Sequence, residues 1–395
     1  MDDSNKIFGK KNTLILHTVT IMSFMAAASA PTPLYQIYQK MWHFSPVILT
    51  LIFSTYAFLL LISLLIGGSL SDFLGRRPVI VFSILLQLLS MLFFLLADKV
   101  VMLFIARGIQ GIATALAVSA LGAALLDLSK EKGALINSIA PMLGMTIGAF
   151  LSCLVLQYSN IPLKHVFLIL IMIYIIELFL TAFSLESSLK KVVTLATFKP
   201  KITIPIKAKR TLITISPINI ALWMLSGFFL SLMPSLLNHS FHMNSAWLNG
   251  LSFTVMAISG AIGILFLRNY QASFILRLGT ISLILGTLVL IISINITNIS
   301  FLLLGSLIAG LGFGTSFMGA LRAVMPLAPV DERAGLMATF YIISYLAFSL
   351  PTILIGLLIN QIGLLTSSNI FLGSIILLGV IQLILIFKLS KKTHF

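Results

Sequence analysis

The sequence predicts an all-α integral membrane protein: twelve transmembrane helices in two six-helix, pseudo-symmetric bundles. Three observations carry that prediction. Only 9% of the 395 residues are charged, 59% are hydrophobic and the mean hydropathy is +1.12, whereas a water-soluble chain carries about 25% charged residues. Apolar runs near the length a helix needs to cross about 30 Å of hydrocarbon follow one another along the chain. One long polar stretch then divides these runs six and six. The composition excludes a soluble enzyme, a disordered tail and a secreted disulfide scaffold. With Cys153 as the one cysteine, an intramolecular disulfide and a thiol metal cluster are excluded too.

In chain order the first six spans fall near 13–37, 46–70, 78–96, 100–126, 133–158 and 165–184, and the second six near 212–237, 246–267, 274–294, 298–325, 333–359 and 369–388. Stretches such as Ile80–Leu96 are continuously apolar, where a barrel strand would alternate. The first span mimics a signal peptide, since Lys6, Lys10 and Lys11 precede an apolar run ending Ala28-Ser29-Ala30. Pro31 directly follows that triplet and apolar character continues through Leu34 and Tyr35, so the helix is expected to be retained.

Charge orients the spans. With the amino terminus placed in the cytoplasm, 20 of the 25 Lys and Arg residues fall in inside loops and adjoining helix ends, against Lys40, Lys99 and Lys164 outside. Arg107 and Arg322 lie within spans. This positive-inside bias predicts both termini in the cytoplasm, in a multi-pass protein of the cell's inner membrane. The net charge of +15 is thereby explained by anionic lipid, with no nucleic acid partner.

The polar stretch 186–211 holds seven basic residues with Pro200 and Pro205. It reads as a flexible cytoplasmic linker between an N-terminal bundle, 1–185, and a C-terminal bundle, 212–395. The halves show faint internal similarity. Arg107-Gly-Ile-Gln-Gly111 in the fourth span has a counterpart in Ser306-Leu-Ile-Ala-Gly310 in the tenth, and Glu131-Lys132-Gly133 is echoed by Glu332-Arg333-Ala334-Gly335. Paired halves of this kind mark carriers that work around a midplane site. No phosphate-binding loop is present, and the run Gly310-x-Gly312-x-Gly314 lies inside an apolar span, where it reads as helix packing. No enzyme activity, cofactor or metal site is expected.

Between the second and third spans stands Gly67-Gly68-Ser69-Leu70-Ser71-Asp72-Phe73-Leu74-Gly75-Arg76-Arg77-Pro78. It resembles the signature loop of the major facilitator superfamily, Gly-x-Leu-x-Asp-x-x-Gly-Arg-Arg/Lys. The resemblance covers essentially the whole chain and implies the major facilitator fold. It also implies a conformational gate on the cytoplasmic side, made of Gly68, Asp72, Gly75, Arg76 and Arg77. Asp72 would face the start of the eleventh helix, and Arg76 would pair with an acid at the inner end of the fourth, where Asp127 stands. The second half departs from the pattern, because Gly263–Gly279 holds Arg268 and Arg277 but no acid.

Arg107, Gln110 and Gly111 resemble the family's fourth-helix motif, whose arginine is associated with proton transfer. An arginine within a span costs about 2.5–3.5 kcal/mol on insertion scales and therefore needs a cavity or a partner; snorkelling to the outer surface is the competing expectation. Ala140-Pro141-Met142-Leu143-Gly144-Met145-Thr146-Ile147-Gly148 looks like a degraded form of the motif associated with antiporters of the family. Pro141 kinks the helix and frees a carbonyl, while Gly144 and Gly148 admit a neighbouring helix. Ala30–Tyr35 looks like the corresponding segment of bacterial efflux members. The resemblance as a whole points to the drug or solute:proton antiporter branch.

Glu177 in the sixth span is the one acid deep within a span. It is the candidate proton carrier of the transport pathway, with a neutral, hydrogen-bonded structural role as the alternative. The sign of Arg107 suggests a neutral or anionic small-molecule substrate, the resemblance implies proton-coupled export, and a monomer is expected. Uptake of a nutrient or a metal chelate stays open, as does a transport-inactive membrane sensor.

Overall fold

The structure, a computed structural model, describes residues 9–187, 202–241, 246–329 and 332–390. Its helices are α1 Lys10–Ser29, α2 Tyr35–Trp42, α3 Pro46–Gly67, α4 Leu70–Leu74, α5 Arg76–Leu95, α6 Val100–Leu128, α7 Lys130–Tyr158 and α8 Pro162–Ala182. After the linker follow α9 Ile206–Ser231, α10 Met233–His239, α11 Ala246–Leu267, α12 Ala272–Ile296, α13 Ile299–Val324, α14 Arg333–Ile362 and α15 Leu364–Ser390. Among the described residues 12 helices are long and apolar enough to cross a membrane. Helices are what such a sequence must form, because hydrocarbon offers the backbone no partner outside its own segment. Bulky side chains stand on the outside: Phe266 is 77% and Met172 65% exposed. Surfaces of that kind suit lipid and would aggregate in water. The chain is a multi-pass membrane protein.

Two elements differ from the sequence reading. The first span does not run unbroken from 13 to 37. It stops at Ser29, passes through a short 3-10 turn over Thr32–Leu34 and resumes as α2, because Pro31 and Pro33 each lack the N–H that would continue the ladder. The first helix of the second half begins at Ile206, inside the stretch read as linker; Pro205, just before it, starts the helix without an N–H to satisfy. Residues 188–201 of that stretch lie outside the described residues.

The chain divides into two compact units, Met1–His43 with Thr55–Pro200 and Phe44–Ser54 with Lys201–Phe395. In the first unit α1 lies directly against α7. A methyl group added at Gly144 would strike the backbone of Met22, and one at Gly148 would strike the carbonyl of Ala26. The Ser29 hydroxyl crosses the same interface, donating to the Met145 carbonyl at 2.7 Å. On the other side of the unit α5 meets α8 through the stacked rings of Phe94 and Phe167, 4.8 Å apart. In the second unit α13 is the central packing element. Gly310 and Gly314 admit the α11 backbone at Met256 and Gly260, and Gly312 admits α12 at Leu283. Within the same unit Trp223 of α9 gathers Phe317, Tyr345 and Phe348 around its ring.

The α1–α7 contact yields a prediction with a built-in control. Gly148→Leu forces two backbones apart and should cost about 2 kcal/mol or more, lowering the melting midpoint in detergent by several degrees. Gly373→Ala in α15, where an added methyl meets nothing within 4 Å, should hold or raise that midpoint through helix propensity worth about 1 kcal/mol. Circular-dichroism melts of the two variants make the comparison.

Candidate functional site

The prolines that end α1 also create its acceptors. Pro31 has no N–H, so the Ala27 carbonyl four residues earlier has no helical donor, and Ala28 likewise lies in the last turn, where carbonyls are left over. Both are taken by α6. Gln110 Nε2 donates to the Ala27 carbonyl at 2.9 Å, and Arg107 Nη1 donates to the Ala28 carbonyl at 2.8 Å and to Gln110 Oε1 at 2.6 Å. Arg107 Nε donates to the Tyr35 hydroxyl, which the 3-10 turn places beside it. The guanidinium carbon also lies 5.4 Å from the Tyr35 ring centre and 5.2 Å from that of Tyr56, where the ring quadrupoles attract a cation. Arg107 is wholly buried, so it does not snorkel. Its Nη2 has no hydrogen-bond partner. Gly111 lets α6 approach α3 at the Tyr56 carbonyl.

A second cluster gathers at the far end of α6. Arg76 Nη1 meets Asp72 Oδ1 at 2.5 Å and donates to Ser71 Oγ at 2.7 Å, while its Nε meets Asp127 Oδ2 at 3.0 Å. Glu186, just past α8, places Oε1 2.8 Å from the Arg76 amide and Oε2 3.1 Å from the Arg77 amide. A carboxylate there satisfies orphan N–H groups and the positive end of the α5 dipole. Gly75 makes room for it. Its φ of 98° and ψ of 155° suit glycine alone, and a Cβ would lie 2.7 Å from Glu186 Oε2. Arg77 completes a reciprocal clasp by donating to the carbonyls of Ala182 and Ser184 at the end of α8. Gly68 joins through its carbonyl, which accepts from the Ser119 hydroxyl of α6. In the second unit, by contrast, Arg322 Nη1 donates to the Arg268 carbonyl at 2.5 Å and Arg277 sits over the Phe387 ring.

Glu177 stands apart from both clusters. It is 3% exposed on α8, and its Oε1 accepts from the Ser23 hydroxyl of α1 at 2.6 Å. Pro141, Gly144 and Gly148 lie along α7 at its contact with α1.

The sequence profile of the Major Facilitator Superfamily matches residues 16–350. The chain belongs to that superfamily. It is a secondary transporter by family, and this family of carriers is not one of enzymes. Among curated proteins no sequence match was found. Among solved structures, the nucleoside transporter NupG is similar over 94% of this chain and 99% of its own, with a TM-score of 0.71 and 15% identity; a likeness at that identity speaks to the fold alone. The major facilitator residues singled out in the sequence thus fall into separate places. Asp72, Gly75, Arg76, Arg77 and Asp127 come together, Arg107, Gln110 and Gly111 form a second group, and Glu177 joins neither.

Sequence reasoning passed over Glu186, which it assigned to the linker, and Ser23, one hydroxyl among many in an apolar helix. Neither carried a local signal: the arginine amides that Glu186 meets lie 110 and 109 positions away, and the carboxylate that Ser23 meets lies 154 away. The proline-freed carbonyl gives the test of this arrangement. Gln110→Leu should destabilise the protein by about 1–3 kcal/mol, the cost of leaving the buried Ala27 carbonyl unpaired. Pro31 already has helical angles, φ −70° and ψ −18°, so Pro31→Ala supplies an N–H aimed at that carbonyl. The double variant should therefore be markedly less damaged than the sum of the singles, by about 1 kcal/mol in a double-mutant cycle of denaturant unfolding.

Proposed function

We propose that this major facilitator carrier exports a small neutral or anionic organic solute in exchange for protons, by alternating access. Arg107 receives the solute's negative or acceptor group. The carrying observation is the free Nη2: a donor on a buried guanidinium, deep in a span, with no carboxylate pairing it among the described residues. A lone cation in that setting is a functional site by default, and the partner it lacks is an anion or a strong acceptor. Tyr35 and Gln110 hold the plane of the guanidinium, so that an incoming oxygen meets a fixed donor. The antiport direction is supported by the resemblance of Pro141, Gly144 and Gly148 to the antiporter motif. The charge bias of the loops supports insertion in the inner membrane with both termini cytoplasmic, and the carrier works as a monomer in lipid, with protons as its coupling ion.

The second reading is proton-coupled uptake of a nutrient or a metal chelate, favoured by the fold shared with a nucleoside transporter. It uses the same site in the opposite direction. A panel of labelled carboxylate, neutral and lipophilic-cation solutes in proteoliposomes, with pH gradients of either sign, separates the two. Export coupling predicts carboxylate or neutral solutes moving against the proton flow; movement along it establishes uptake. Arg107→Lys keeps the charge but not the fork, and should raise KM for carboxylate solutes about tenfold, equivalent to about 1.4 kcal/mol. Transport restricted to lipophilic cations and indifferent to Arg107→Lys would remove the anion reading.

The Asp72–Arg76–Asp127 cluster, with Gly68, Gly75 and Arg77, serves as the conformational gate in this reading. Asp72→Asn weakens one of its two ion pairs and should shift the conformational population towards inward-open. Thiol-labelling rates of cysteines engineered at the two ends of the pathway report that shift, and unchanged rates would count against a gating role.

A further inference from the structure

Glu177 is tied to the Arg107 site by a path of hydrogen bonds along α1. Ser23 has a single hydroxyl hydrogen and two acceptors in reach: Glu177 Oε1 at 2.6 Å and the Val19 carbonyl, four residues back on its own helix, at 3.1 Å. The Tyr174 hydroxyl donates to the Ser23 backbone carbonyl at 2.8 Å. One turn further on, Ala27 and Ala28 present the carbonyls that hold Gln110 and Arg107. Glu177 Oε2 is buried with no partner. No cation pairs with Glu177 among the described residues. The elements packed on α8 bring Ser23 from α1 to the carboxyl and Gln87 from α5 to its neighbour Tyr174. Away from the helix ends, the other titratable side chains of α1, α5 and α7 are His17 and Cys153, both buried.

We propose that Glu177 binds the transported proton and that Ser23 converts its protonation state into a change of α1 at the Arg107 site. This rests on the proton-coupled reading of that site. The proton arrives from water at one membrane face, forms an O–H bond at Oε2, and leaves to water at the other face when that bond breaks. While Glu177 is ionised, Oε1 is a charged acceptor and holds the Ser23 hydrogen, since such bonds are about twice as strong as neutral ones. Once Oε2 carries the proton, Oε1 is an ordinary carbonyl and the Val19 carbonyl competes for the same hydrogen. A serine bonded to its i−4 carbonyl bends its helix. The curvature of α1 therefore follows the charge on Glu177, one turn from the two carbonyls that orient Gln110 and Arg107. Ser23 is a positioning residue; Glu177 carries the proton.

The experiment uses the full chain in vesicles of phosphatidylethanolamine and phosphatidylglycerol, with protons as the only ligand. Infrared difference spectra on acidification should show, among the bands of the chain's ten carboxyl side chains, one protonated-carboxyl band that is missing from Glu177→Gln. At one fixed pH, Glu177→Gln imitates the neutral acid. It should change amide hydrogen exchange in residues 19–30 of α1 and 103–114 of α6 by about threefold or more relative to wild type. Ser23→Ala should erase the effect of Glu177→Gln, and Ser23→Thr, which restores a hydroxyl, should bring it back. An acidification spectrum that Glu177→Gln leaves unchanged overturns the proposal, as does an exchange effect that survives Ser23→Ala or stops short of α6. Those failures leave the solute-binding role of Arg107 standing, because that role is read from transport by Arg107→Lys.

Discussion

A helix that cannot continue is the constraint on which the rest of the first unit depends. Pro31 withholds one N–H, the Ala27 carbonyl is left without its helical donor, and a glutamine from α6 takes the vacancy. The same Gln110 accepts from Arg107, and the turn that follows the proline sets Tyr35 against the guanidinium. Without the break, α1 would present a closed ladder to α6. Arg107 would then have to be desolvated against a wall of satisfied carbonyls, and a buried charge without partners is among the costliest defects a fold can hold. The break at Ala30-Pro31-Thr32-Pro33 and the pair Arg107–Gln110 are thus halves of one device, though they lie far apart in sequence.

The second cluster solves a different problem by related means. The loop after α3 must turn sharply, start α5 and stay close to the ends of α6 and α8. Gly75 supplies the turn with a backbone conformation denied to side chains. Glu186 then occupies the space that the missing Cβ leaves, and sits on the amides that open α5. Arg77 reaches back to the carbonyls that close α8. Each helix end is thereby met by the charge its dipole favours, and Arg76 ties the pair to Asp127 of α6. In the second unit Arg322 donates to the backbone carbonyl of Arg268 and Arg277 lies over the Phe387 ring, so the two units are alike in helices but not in electrostatics.

The order of the spans was legible, with most ends a few residues off, because lipid leaves the chain one kind of solution: a run such as 246–267 is α11 from end to end. What composition could not show is where a span breaks without leaving the apolar phase. The first span reads as continuous through Tyr35 because prolines are apolar; only their missing N–H groups reveal the interruption. The Arg76–Asp127 pairing was an expectation carried by the family resemblance of the loop, and the burial of Arg107 was one of two outcomes that its depth allowed. Glu186 and Ser23 were not legible for one reason: their partners come from other helices, at |i−j| of 110 and 154. No local pattern records such contacts. Serines in membrane helices are common, and many bond their own i−4 carbonyl, as Ser83, Ser231 and Ser306 do here. Ser23 differs only in having a carboxylate as a second acceptor.

The charge balance of the first unit gives the buried Arg107 and Glu177 a common meaning. Arg107 is surrounded by carbonyls and π-faces, and Glu177 by a hydroxyl and apolar side chains; among the described residues neither has an ion-pair partner. Had they been placed side by side, they would have neutralised one another and closed both positions to anything mobile. Kept apart on α6 and α8, with α1 between them as the shared hydrogen-bonding element, each retains a vacancy of its own sign: a free N–H on the cation and a free oxygen on the acid. A free donor selects an acceptor or an anion, and a free carboxylate oxygen selects a proton. Both are bonded to the same helix, and in the proposed proton-coupled reading that helix is what lets filling one vacancy change the energy of filling the other. For the proposed exchange of a solute and a proton, that separation keeps both positions open, where a structural salt bridge would have closed them.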